Sequence, residues 1–538
     1  VYPAHPDTPL GLKQLARCQA FEKQKRTLYA ALSCVIGGVL VPVIDFFRYD
    51  GRYYSVSEAL PDSCVAAEDG GLLTPIYLPR LPKTALEDMM NMSYQQRAVY
   101  VMKMFLEEFS VKELSDFAAE AYGPSKFDTP EVAPVKTLDD NTHCLELWHG
   151  PTCAFKDMAL QMLPHLLSAS LVKTEEEKTV CILVATSGDT GKGALEGFRD
   201  VDHTKILVFY PKDGVSQVQQ LQMVTQEGSN VGVCSVVGNF DDAQTGVKKL
   251  FNDEQLRQEL AQRGYFLSSA NSINWGRVLP QVVYYLSAYC DLLKAEKITL
   301  GNPINICVPT GNFGNILAAY FAAEMGMPVN RLICASNHNN VLTDFIRTGV
   351  YDKNRTFYNT MSPSMDILVS SNLERLLYIL TGGDTAQVRD YMKQLSDSGR
   401  YEVSKAVKDK IQKRFSAYFC DDQETQRVIG EIDKKYGYVI DPHTAVGFSA
   451  LEQYRKESGD MTPAVVASTA SPFKFGDSVL GGLGVQTKAG GLDLLDELSE
   501  KTGLPVPAPL ASLRNKEVRF TQVVEKDHMV DAVLSMLR

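Results

Sequence analysis

Short apolar runs rich in β-branched residues recur along this chain, each ending in a glycine loop that opens a helical stretch. "TVCILVA" (179–185) leads into "TSGDTGKGALEGF", and "NPINICVPT" (302–310) into "GNFGNILAAYFAAEMG". "KILVFYP", "VGVCSVVG", "RLICASN" and "PAVVASTAS" repeat the strand signature. Strands this short, separated by helices, pair in parallel and need cover on both faces. The expectation is an α/β fold with mostly parallel sheets flanked by helices. Residues 93–121 have a helical period, with Val99, Met102, Phe105, Leu106 and Phe109 on one side. Residues 365–437, rich in Lys, Gln, Asp and Arg at helical spacing and without strand runs, read as a helical insertion.

At 538 residues the chain is too long for one small core. Its 54 basic and 65 acidic residues give a net charge of −11, which argues against nucleic acid or an anionic membrane as partner. The 11 cysteines form no C-x-x-C pair and no cluster at zinc spacing, so no metal is expected. Cys181, Cys307 and Cys334 fall inside apolar runs and read as buried thiols in a reducing, cytoplasmic setting. One stretch stands apart. Residues 28–44, "LYAALSCVIGGVLVPVI", carry no charge and follow "EKQKRT", like a short anchor or signal core. Its length, Pro42 and its glycine pair weigh against a membrane span. Because the chain opens on Val1, the stretch reads as a start-site extension or a packed accessory segment, without stable membrane association.

"WHGPTCAFKDMAL" (148–160) places Lys156 in a Gly-Pro-Thr turn that runs into an apolar helix. Phe155, Met158, Ala159, Met162 and Leu163 follow at i, i+3, i+4, i+7 and i+8 spacing, and Leu160 and Leu167 cover much of the rest. Lys156 is therefore either a core lysine with a special partner or a reactive amine. Burial and the helix dipole both disfavour its charged form, and a partly neutral amine can condense with an aldehyde. Pro164 is expected to kink this helix beyond the lysine.

In "VPTGNFGNILAAYF", Gly311 and Gly314 sit between a strand and a helix start, where backbone N–H groups can hold an anion. No lysine follows and the spacing is not G-x-G-x-x-G, so neither a Walker A loop nor a dinucleotide fingerprint is present. A tight turn alone would also explain this glycine spacing. A second loop, Ser187 to Gly191, offers Ser187 and Thr190 hydroxyls to a carboxylate or phosphate. An aldehyde that carries its own phosphate, pyridoxal phosphate (PLP), explains the lysine and the amide loop together.

"LWHGPTCAFKDMALQ", "ATSGDTGKGALEGF", "NSINWGRVLPQVVYY", "PTGNFGNILAAYF" and "STASPFKF" resemble, in order, five motifs of the threonine synthases. "YYSVSEALPDSCVAAEDGGLLTP" resembles that family's opening segment, and the likeness runs from about residue 50 to 480. It is similar to the branch with a helical insertion, within the fold type II PLP enzymes. The resemblance implies an extension at 1–49, an N-terminal domain at 50–130 and a PLP-binding α/β region at 131–364. The helical insertion at 365–437 then precedes the remainder of the α/β region and a tail at 438–538.

The same resemblance implies that Lys156 is the Schiff-base lysine and acid/base. Gly311, Asn312, Phe313, Gly314 and Asn315 match the cradle of the cofactor phosphate. Thr469 matches the hydroxyl facing the pyridine nitrogen. Ser187, Asp189, Thr190, Asn271, Ser272, Asn274 and Arg277 match regions lining the substrate pocket. Arg277 and Asn239 are also explained by structural hydrogen bonds, and His149 and His443 read as structural. Asn315 stands where the family often has Asp, and Ser471 where His is common. The implied reaction converts O-phospho-L-homoserine and water to L-threonine and phosphate in a monomer or homodimer. A threonine-synthase-like phospho-lyase, giving 2-oxobutanoate, ammonia and phosphate, is the alternative. A non-catalytic PLP-binding scaffold is a third reading, disfavoured by the intact lysine and loops.

Overall fold

The computed structural model describes residues 71–537 other than residue 76, together with Phe46–Phe47, which pairs antiparallel with Thr74–Pro75. The apolar stretch at 28–44 and most of the family-like opening segment lie outside the described residues. Along the chain run β1 (Val135–Asp139), β2 (Thr142–Glu146), β3 (Thr179–Ala185), β4 (Thr204–Pro211), β5 (Val231–Val237) and β6 (Tyr265–Ser268). They are followed by β7 (Ile304–Pro309), β8 (Val329–Ser336), β9 (Phe415–Phe419), β10 (Ala464–Ser468) and β11 (Val523–Glu525). One sheet has the order β9-β8-β7-β10-β2-β1 and is parallel except where β1 meets β2. The other, ordered β11-β5-β4-β3-β6, is parallel throughout.

The residues explain the layers. In β3, Val180, Ile182 and Val184 join one apolar cluster while Cys181, Leu183 and Ala185 join another on the opposite face. That is the period-2 alternation of a strand covered on both sides. β7 and β10 are buried along their whole length. The helix Trp275–Lys294 is buried from Trp275 through Cys290 and packs on Gly314–Met325. Five loops leave the C-terminal ends of parallel strands: 147–156 after β2, 186–190 after β3, 269–274 after β6, 310–314 after β7 and 469–474 after β10. Ligands of open α/β sheets bind at that end.

Three expectations change. Residues 93–121 form two helices, Tyr94–Lys103 and Val111–Ala121, each opened by a capping box, Ser93 with Gln96 and Ser110 with Glu113. The second box breaks the run, although Phe105, Leu106 and Phe109 stay buried between the helices. Residues 365–437 are largely helical, yet they also supply edge strand β9 and Arg400–Glu402, which pairs with Val350–Asp352. A strand of five residues inside charged helices gives little periodic signal. Pro164 does not kink the lysine helix. Asp157–Leu160 ends first, and Pro164 opens Leu163–Thr174, where its missing N–H costs nothing.

Candidate active site

Asp157 shapes the turn that presents Lys156. Its carboxylate accepts the amide and the hydroxyl of Thr152, both at 2.8 Å. Gly150 permits this, since a Cβ there would lie 2.6 Å from Asp157 Oδ2. Burial pushes the Asp157 carboxyl up to about 6 against those two hydrogen bonds. The turn docks on the loop after β10: the Phe155 amide donates to the Thr469 carbonyl at 2.8 Å, and Ala154 bridges to Ala470.

Lys156 is buried. Its Nζ donates to Ser364 Oγ at 3.2 Å, lies 3.6 Å from Asp189 Oδ2, and stands 5.0 Å from the Phe155 ring centre. Burial pushes this amine down to about 8; Asp189 opposes the shift, and Lys474 and Arg277 add to it. Asp189 is tied to the other side. Lys474 Nζ is 2.6 Å from its Oδ1, and Gln219 Nε2 donates to the same oxygen at 2.9 Å. Burial opposes ionisation of Asp189, but Lys474 and Lys156 outweigh it and hold the carboxyl well below the usual carboxylate range. Lys474 also donates to the Thr152 carbonyl at 2.9 Å.

Thr186 Oγ1 organises the loop after β3, accepting the amides of Gly188 (2.9 Å) and Gly191 (2.8 Å). Gly188 has φ +128°, and a Cβ there would meet the Gln219 amide at 2.5 Å. Ser187 and Thr190 are half-buried on this loop.

After β7, Phe313 holds a left-handed φ of 63° and Gly314 opens a helix ending at Met325. The loop's carbonyls are held from behind. Ser370 Oγ donates to Gly311 O at 2.9 Å, and the amide and Nδ2 of Asn372 donate to Asn312 O at 3.1 and 3.0 Å. Among the described residues, no backbone carbonyl outside the helix ladder takes an amide of residues 311–315. Asn315 Oδ1 accepts from Tyr284 at 2.8 Å and from Tyr285, while its Nδ2 is buried without a partner among the described residues.

The loop after β6 divides in role. Asn271 Nδ2 donates to Ala185 O at 3.1 Å, and the Ser272 carbonyl accepts from Asn372 at 3.1 Å. Asn274, expected to line the substrate pocket, is hydrogen-bonded within its own loop. It is buried, its Oδ1 caps Gly276 at 2.8 Å, and its Nδ2 donates to Ser269 O at 3.0 Å. Arg277 is buried with Nη1 donating to Ala270 O at 2.6 Å and with Nε unpartnered among the described residues. Burial pushes this guanidinium down to about 10.

Other sequence candidates are engaged in structural hydrogen bonds. Asn239 caps the helix Phe240–Asn252 through Asp242. His149 bridges Asp128 (2.6 Å) and Glu146 (3.0 Å) and stacks on Trp148. Ser471 Oγ accepts the Phe473 amide at 3.4 Å. In His443, Nδ1 meets Asp441 at 2.7 Å, and Nε2 accepts the Ser364 amide at 3.2 Å. Ser364 and Lys474 were missed by sequence reasoning. Lys474 carried a readable signal, a lysine inside the apolar run "SPFKF", but Ser364 carried none.

An aldehyde with a phosphate suits this set on structural grounds. The amides of 311–315 and the orphaned Asn315 Nδ2 can take an anion, and the Lys156 amine is held short of full protonation at neutral pH. Comparison with known proteins agrees: residues 135–469 match the family described as pyridoxal-phosphate dependent enzyme. With the parallel sheets, this makes the chain a fold type II PLP-dependent enzyme. Residues 50–122 further match the threonine synthase N terminus, and 444–534 the threonine synthase C-terminal family. Threonine synthase of Pseudomonas aeruginosa is 37% identical over 477 residues, covering 87% of this chain and 93% of the relative. The PLP-bound threonine synthase of Brucella melitensis superposes with a TM-score of 0.78 at 34% identity, covering 94% and 96% of the two chains. The chain therefore belongs to the threonine synthase family. Human threonine synthase-like 1 is 39% identical over 430 residues, and the match spans 78% of this chain and 57% of that relative's length.

Proposed function

We propose that the chain converts O-phospho-L-homoserine and water to L-threonine and phosphate. The observation that carries this reading is a buried amine, Lys156, set beside two separate groups of anion-holding atoms: the amides of 311–315, and Arg277 with an uncommitted Nε. One group suits the cofactor phosphate, and the other suits a phosphate that arrives on the substrate.

Gly311, Asn312, Phe313, Gly314 and Asn315 would hold the cofactor phosphate, Lys156 its aldehyde carbon, and the Thr469 hydroxyl its ring nitrogen. A hydroxyl there does not enforce ring protonation as a carboxylate would. PLP, when bound, supplies the sink for electron density left when a proton departs from the substrate α-carbon. Lys156, once displaced by the substrate amine, takes that proton and returns protons along the carbon chain. Arg277, Ser272 and the loop at Ser187–Thr190 bind the γ-phosphate and receive it as it leaves, with Asn271 bracing the pocket wall. Asp189, fixed by Lys474 and Gln219, orients the amine. The buried unpaired thiols among the described residues support a reducing, cytoplasmic location. No helix among the described residues is long and apolar enough to cross a membrane.

Purified protein incubated with O-phospho-L-homoserine tests the reading. Threonine matching phosphate mole for mole is expected. Phosphate accompanied by 2-oxobutanoate and ammonia assigns the chain to the phospho-lyase alternative, and phosphate release without Lys156, in Lys156→Ala, would overturn the mechanism.

A further inference from the structure

A single residue of a 3-10 turn touches the reactive amine, the phosphate loop and the buried histidine. Ser364 belongs to Pro363–Met365, within a polar knot that holds the segment in place. In that knot Asn337 Nδ2 donates to Thr360 (2.8 Å), Ser362 Oγ (3.0 Å) and Asp366 (2.7 Å), and Asn339 Nδ2 donates to Asp366 at 2.9 Å. Each part of Ser364 has a use. Its carbonyl would lie 2.5 Å from a Cβ at position 311, so it packs against the bare Gly311 backbone. Its amide donates to His443 Nε2 at 3.2 Å. Its hydroxyl accepts from Lys156 Nζ at 3.2 Å and donates to Asp189 Oδ2 at 3.4 Å.

We propose that Ser364 is the positioning residue of Lys156, its hydroxyl bridging Nζ and Asp189 Oδ2 so that the amine stays in attacking position and its ion pair with Asp189 stays loose. This inference rests on the reading of Lys156 as the cofactor lysine. At 3.6 Å the Lys156–Asp189 pair is looser than the Lys474–Asp189 pair at 2.6 Å. With the hydroxyl gone, Nζ loses its hydrogen-bond partner and turns to Oδ2, and a closer carboxylate favours the ammonium form. The other charged groups facing the amine are Lys474 and Arg277, which oppose protonation, and Phe155 presents its ring. His443, held by Asp441, reaches the amine only through the Ser364 backbone. It therefore supports the turn that carries the Ser364 hydroxyl.

The test uses the cofactor-free full chain without substrate, following the rate of covalent PLP capture from pH 6 to 10. The wild type is expected to reach half its plateau rate near pH 8. Ser364→Ala is expected to capture about tenfold more slowly at pH 7, to recover at pH 10, and to reach half its plateau about one pH unit higher. Ser364→Cys, isosteric with a weaker hydrogen-bonding group, is expected to fall between them and serves if the alanine variant does not fold. A Ser364→Ala profile identical to wild type, or one slowed equally at every pH, overturns the proposal. Failure of the threonine synthase reading would appear separately, as a wild type that captures PLP but releases no phosphate from O-phospho-L-homoserine.

Discussion

Lys474 Nζ lies 2.6 Å from Asp189 Oδ1 with no side-chain surface exposed. Two buried lysines thus share one carboxylate, Lys474 closely and Lys156 at 3.6 Å. Lys474→Met strips Asp189 of its closer cation and is expected to destabilise the fold by about 3–5 kcal/mol, because a buried charge loses its partner. Adding Asp189→Asn should recover much of that loss. Chemical denaturation of the two single variants and the double variant measures the coupling, and a single-variant loss below about 1 kcal/mol would show that the pair is not needed.

Arg277 is a buried cation whose nearest hydrogen-bond partner is a carbonyl, not a carboxylate. Such a group costs stability, and under the proposed function it meets the substrate phosphate. Arg277→Gln is expected to leave the amount of PLP bound at saturation unchanged, to lower kcat/KM for O-phospho-L-homoserine by about a hundredfold or more, and to hold or raise Tm. Product inhibition by inorganic phosphate should weaken in parallel. Unchanged kcat/KM would remove Arg277 from the substrate's phosphate site.

Gly311 meets the Ser364 carbonyl where no side chain fits. Gly311→Ala must push two backbone segments apart, at about 1–3 kcal/mol. Because those segments carry the cofactor amides and the lysine's hydroxyl partner, PLP retention should weaken more than Tm falls. Equilibrium dialysis of the cofactor beside a thermal melt separates the two effects.

His149 lends stability that depends on pH. Burial disfavours its charge, but hydrogen bonds to Asp128 and Glu146 outweigh burial and raise its pKa to about 9 from an ordinary 6.5. The folded state therefore binds the proton more tightly. The gain is full below pH 6.5 and disappears as pH rises through 9. Allowing for the exposed Asp128, it amounts to about 2 kcal/mol. His149→Gln should melt below wild type at pH 6 and level with it at pH 10; an equal deficit at both would assign the loss to packing on Trp148.

Much of the site was readable along the chain because its signals are local. Lys156 stands out against an apolar helix, Gly311 and Gly314 bracket a strand–helix junction, and the strand runs announce the sheets. Where sequence reading went wrong, a competing local device had intervened. The Ser110–Glu113 box split a helix, and Pro164 opened a second helix instead of kinking the first.

The order of residues determined the strands, the glycine loops and the isolated lysine, since each follows from the preferences of a few neighbouring residues. Only the tertiary structure decided what the lysine faces. Ser364 lies 208 residues away from it in sequence, and Lys474 reaches Asp189 from the loop of the other sheet. Parallel pairing gathers the C-terminal ends of distant strands at one place, and the contacts made there depend on strand order, which no local run of sequence encodes.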